Sequence, residues 1–131
     1  MLKRTIAFIF FFFFITISSV QAKSQEAQSK KEVLVLSSYF QGYAWAENLA
    51  SAVVSRYAVN RRLTVEVEFL DLVAQRDSVL MRKKAESIMN TNDATGKEIV
   101  ILIGEEAWIM YRTFMKGAWK EVPCVAVFSG E

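Results

Sequence analysis

The sequence predicts an α/β domain built on a parallel sheet. Three observations carry that prediction. Four strand-like runs alternate with three helix-like stretches in the order βαβαβαβ, and strands separated by helices form parallel sheets with right-handed crossovers. Three of the runs, VLVL at 33–36, IVILI at 99–103 and VAVF at 125–128, are continuously apolar. That is the composition of strands covered on both faces. The remaining run alternates, with Val65, Val67 and Phe69 set against Glu66 and Glu68, which suits an edge strand with one exposed face.

Before the first strand, Lys3 and Arg4 precede an apolar stretch at 5–17 that contains phenylalanine at every position from 10 to 14. Val20 and Ala22 form the small-residue pattern of a secretory cut after Ala22. The stretch is shorter than the roughly 20 apolar residues that cross a bilayer. Residues 1–22 therefore read as a signal peptide, with an uncleaved anchor as the alternative, and the expected location is the periplasm. Residues 23–31 (KSQEAQSKK) lack an apolar period and read as a flexible leader.

The first strand is expected at 32–37. A helix follows from 43 or 44 to 59, because Trp45, Leu49, Ala52, Val53 and Tyr57 recur at helical spacing. Asn60-Arg61-Arg62 breaks it. The second strand is expected at 64–70. The second helix is expected at 77–90, with Asp77 as N-cap and Met81, Ala85 and Ile88 on one face. A polar loop at 91–97 leads to the third strand at 98–103. The third helix is expected at 105–116, with Gly117 as its C-terminal stop. The fourth strand is expected at 122–128.

Placing the alternating strand at the edge gives a three-layer sheet in the order 2-1-3-4, which is flavodoxin-like. The chain crossings then put one helix on one face and two on the other. The fourth strand, apolar throughout, is left as an open edge. Uncovered apolar sheet is a liability. The expectation is that residues 32–131 are an incomplete lobe, completed by a second lobe or a partner chain.

Composition excludes several functions. Histidine is absent, which removes His-based acid–base chemistry, Ser/His and Cys/His pairs and most zinc sites. Cys124 is the single cysteine and reads as a buried strand thiol. Loss of residues 1–22 removes Lys3 and Arg4, so 16 basic residues become 14 and match the 14 acidic ones. No basic field remains for nucleic acid, and Arg82-Lys83-Lys84 reads as a solvated helix face. A phosphate-binding loop would need several glycines after the first strand, where only Gly42 stands. A phospho-accepting receiver domain shares the strand order, but Ser37-Ser38 replace its acidic cluster. Glu105 and Glu106 are adjacent on a helix, about 100° apart, a poor geometry for a paired-carboxylate hydrolase. Catalysis is not expected, nor is a cofactor or a metal.

Ligands of open parallel sheets bind beyond the carboxyl ends of the strands, where the strand order reverses. Here that point lies between the first and third strands. Segments 37–45 and 104–108 converge on it, with 128–131 beside them. The candidate ligand-binding residues are the hydroxyls of Ser38, Tyr39, Tyr43 and Ser129, the Gln41 amide, the Trp45 ring and the carboxylates of Glu105 and Glu106. Other roles compete. Trp45 fits the apolar face of the first helix, Phe40 can plug its loop, and acids in a first helical turn favour the helix dipole without any ligand.

Four motifs carry a resemblance. An aliphatic strand runs into Ser38, Tyr39, Gly42, Tyr43 and Trp45 (S-Y-x-x-G-Y-x-W). The second strand ends in an aromatic residue and then Leu-Asp, met by Phe69, Leu70 and Asp71. Glu105, Glu106 and Ala107 follow the third, with glutamates where aspartate is usual. Pro123 leads the fourth strand towards Gly130. Residues 32–131 thus resemble the first lobe of extracytoplasmic domains related to ABC-transporter substrate-binding proteins, with the type I periplasmic-binding-protein fold. Such domains stand at the N-terminus of membrane sensor histidine kinases, including hybrid ones. The resemblance implies a small-molecule sensor lobe in two-component signal transduction, from a parent that is membrane-anchored and dimeric. Its alternative is a lobe of a soluble solute-binding protein feeding an ABC transporter.

Overall fold

The computed structural model describes residues 30–130. The predicted signal peptide and all of the predicted leader before Lys30 lie outside the described residues. Strand β1 (Lys31–Ser37) is followed by helix α1 (Ala44–Ala58), strand β2 (Leu63–Phe69), helix α2 (Ser78–Thr91), strand β3 (Lys97–Ile103), helix α3 (Glu105–Met110) and strand β4 (Cys124–Val127). All pairings are parallel, β1 with β2 and β3, and β3 with β4. The order is β2-β1-β3-β4. This is the predicted topology, a flavodoxin-like half-fold with three flanking helices.

Strand alternation divides the core in two. Val33, Val35, Ile101 and Ile103 face α1, which buries Ala46 and Ala50 against them. Leu34, Leu36, Val100 and Leu102 face the other way, towards Met81, Ala85 and Ile88 of α2 and Ala107 and Met110 of α3. The start of α2 is made locally. The Asp77 carboxylate accepts the Val79 N–H at 2.7 Å, the predicted N-cap.

The α1 side is incompletely covered. Val125 pairs with Ile101 and so shares its face, yet it is 48% exposed, and Phe128 just beyond β4 is 51% exposed. Among the described residues no strand pairs with the outer edge of β4.

Several boundaries differ from expectation, those of α1 and α2 by no more than one residue at either end. β1 starts at Lys31, inside the predicted leader, where the Lys31 N–H donates to the Arg62 carbonyl at 3.1 Å. β2 begins and ends one residue earlier than predicted. β4 is limited to the four residues that pair with Val100 to Ile103; Pro123 before it has no N–H to give the ladder. The third helix changes character midway. A π-helical turn, Tyr111–Met115, continues α3, turning Tyr111 and Met115 into the core. Gly117 has no left-handed conformation, so it is not the glycine stop. Instead the N–H groups of Ala118 and Trp119 donate to the Met115 carbonyl, each at 3.0 Å, and Trp119 folds into the core.

Lys97 is a larger correction. The polar loop was expected to include it, but it opens β3 with its side chain only 4% exposed. A buried ammonium requires acceptors. The Glu32 carboxylate and the Asn92 side-chain carbonyl, the latter at 2.6 Å, accept from its Nζ.

Glu66 of edge strand β2 belongs to the same group. Burial, and then the neighbouring Glu32 carboxyl, raise its pKa above the ordinary 4.5, against an opposing pull from Lys97. The sign follows from proton linkage. A raised folded-state pKa means the native state holds this proton more tightly. The contribution to stability is full below the unfolded value and is lost as pH rises through the folded value. Glu66→Gln is therefore expected to melt at a higher temperature than the parent at about pH 7, with the gap closing below about pH 4.5. Thermal melts across that range would show it, and a gap independent of pH would refute it.

Candidate functional site

The carboxyl ends of the strands are laced together by backbone hydrogen bonds. The Ser38 N–H donates to Ile103 O at 2.8 Å, Leu70 N–H to Ser37 O at 2.8 Å, Leu72 N–H to Ser38 O at 2.7 Å and Gly104 N–H to Val127 O at 2.9 Å. The loops after β1, β2 and β3 thus meet at one rim, at the point where the order reverses.

Gly104 and Ser38 form the floor of that rim as a unit. Gly104 is the N-cap of α3 and has no side chain with which to cap it, at φ +97°. Ser38 Oγ supplies the missing acceptor from the end of β1, taking the Ala107 N–H at 2.7 Å. An unpaired N–H at a buried helix start costs about 1–3 kcal/mol, which the serine removes. The arrangement requires contact between β1 and β3, since the serine is 69 residues from the amide it caps.

Above this floor opens a cleft of about 770 Å³ lined by Tyr39, Val73, Arg76, Gly104, Glu105, Glu106, Trp108, Phe128 and Ser129. Glu106 is buried, its side chain 5% exposed, and its Oε1 lies 2.8 Å from Nη2 of Arg76, whose side chain is 68% exposed. Glu105 is exposed. Arg112 stands over the ring of Trp108, 6.0 Å from its centre.

Of the sequence-derived candidates, Tyr39, Glu105, Glu106 and Ser129 line the cleft, and Ser38 lies directly beneath it. Tyr43 stands behind Tyr39, its ring stacked on it at 4.5 Å and 6°. Trp45 meets Tyr39 edge-on at 5.5 Å and packs on the α1-side core. Gln41 is in an exposed turn whose next residue, Gly42, donates its N–H to Glu47 Oε1 at 2.8 Å. The aromatic turn is therefore a stacked support that presents one ring, Tyr39, to the cleft.

Five lining residues are not among the candidates. Gly104, Trp108 and Phe128 stand in the segments expected to converge there, whereas Val73 and Arg76 lie on the segment after β2, which lacks periodicity or a motif. A usable signal did exist: with β2 placed beside β1, its carboxyl end must open at the same rim. Cys124, half-buried on the α2–α3 side, is no rival site, because burial pushes its thiol pKa up, away from thiolate chemistry. Among the described residues no group of three or more His, Cys, Asp or Glu side chains is placed to hold a metal ion, and no helix is long and apolar enough to cross a membrane. Comparison with known protein families, curated proteins and solved structures finds no match for this chain.

Proposed function

We propose that this chain is an extracytoplasmic small-molecule-binding lobe, the input region of a two-component sensor histidine kinase. The observation that supports it best is the cleft. It sits at the reversal of strand order, and aromatic rings and a few charged groups converge there, as small-molecule sites require. In this reading residues 1–22 direct export. A second lobe or a partner chain covers the outer edge of β4, where Val125 and Phe128 are exposed. Ligand closure against that covering surface would shift an open–closed equilibrium and carry the signal.

The test is a thermal-shift and NMR screen of the full chain against small polar metabolites. A binder should perturb the signals of Tyr39 and Trp108. Tyr39→Ala should weaken it by roughly 5- to 10-fold, the scale of one lost aromatic contact. Binders that perturb only residues remote from the cleft would defeat the proposal.

A further inference from the structure

We propose that Arg76 reads a carboxylate group on the ligand and that Glu106 is its positioning residue. The inference rests on the small-molecule reading and names the ligand class, an organic monocarboxylate with a flat apolar body. Burying a carboxylate such as Glu106 carries a desolvation cost that an apolar residue would avoid. Its ion pair with Arg76 is lopsided, because one partner is almost fully buried and the other is mostly in solvent. Such a pair stabilises little for its cost, but it orients the guanidinium. Arg76 belongs to the aperiodic segment between β2 and α2, and the contact at Nη2 anchors it at the cleft wall.

A guanidinium carries five N–H donors in a rigid fork. One contact at Nη2 leaves most of them for a second acceptor, and a carboxylate fits that fork with two parallel bonds. Among the described residues Arg76 is the one cationic residue lining the cleft, and the rings of Tyr39, Trp108 and Phe128 supply flat apolar walls. A cationic ligand would have to displace Arg76 from Glu106. A second carboxylate on the ligand would face Glu105, so one negative charge is the best match.

The probes are phenylacetate, phenylacetamide and phenethylamine, which share one body, titrated by NMR into the full chain and into Arg76→Gln, Arg76→Lys and Glu106→Gln. Phenylacetate should bind about tenfold tighter than phenylacetamide, the scale of a charge-assisted pair. Arg76→Gln should erase that preference with phenylacetamide affinity unchanged, and Arg76→Lys should restore only part of it, since an ammonium lacks the fork. Glu106→Gln should shrink the preference ratio, whereas purely structural damage would lower both affinities together. Equal binding of acid and amide, or tighter binding of the amine, would overturn the role of Arg76 and leave a small-molecule cleft standing. If none of the three probes moves the Tyr39 and Trp108 signals at millimolar concentration, the monocarboxylate assignment falls, and the small-molecule reading is decided by the metabolite screen above.

Discussion

Replacing Gly104 with alanine is expected to destabilise the protein by roughly 2–4 kcal/mol, combining a strained backbone with a steric clash. The backbone there has φ +97°, and an added Cβ would lie 2.6 Å from Ser38 Oγ, 2.8 Å from Ser38 Cβ and 3.0 Å from Tyr39 Cε2. The first two distances are shorter than Cβ atoms tolerate, and the atoms belong to a fully buried residue. Ser38 must move, and with it goes the acceptor of the Ala107 N–H. A double variant separates the two causes. In a Ser38→Gly background the added methyl meets no serine side chain, so Gly104→Ala should cost less there, with the φ penalty remaining. Denaturant titrations of the four proteins measure this coupling. A Gly104→Ala loss below about 0.5 kcal/mol, the range of ordinary surface substitutions, would mean the floor is not built this way.

Leu36→Ala is expected to cost about 3–5 kcal/mol, the usual range for a buried leucine whose cavity cannot collapse. Leu36 lies on inner strand β1 with no exposed surface, between partners on both neighbouring strands and beneath the second helix layer. A domain of this size holds about 5–15 kcal/mol in total, so the variant should sit close to its unfolding threshold. The denaturant midpoint should fall with an unchanged slope. Val125→Ala is the control. It removes two carbons, against three at Leu36, from a strand residue that is already half in solvent, and its effect should stay within about 0.5 kcal/mol. Equal losses at the two positions would mean that Val125 is covered in solution.

Much of the cleft was legible before any coordinates, though unevenly. Tyr39, Glu105, Glu106 and Ser129 follow from knowing which strand ends share a rim, and that follows from the Glu66/Glu68 alternation that puts β2 at the edge. Helical spacing already assigns Trp45 to the apolar face of the first helix, and it packs there. Spacing does not separate Tyr39 from Tyr43; in three dimensions Tyr43 stacks on Tyr39, and only Tyr39 lines the cleft. Arg76 and Lys97 were both missed for the same reason. An isolated cation in a polar stretch looks solvated unless its acceptors are known, and Glu106 and Glu32 lie 30 and 65 residues away in the chain.

Near-neighbour chemistry was sufficient for the element types, the parallel sheet, the strand order and the Asp77 cap. Each depends on spacings of a few residues: side chains alternate faces along a strand, repeat about every 3.6 residues on a helix, and an N-cap reaches only two or three amides ahead. The buried lysine, the Arg76–Glu106 pair and the Ser38 oxygen that caps α3 across the sheet came from folding alone. They join residues far apart in the chain, and the desolvation that makes each contact matter exists only after the intervening strands and helices have packed.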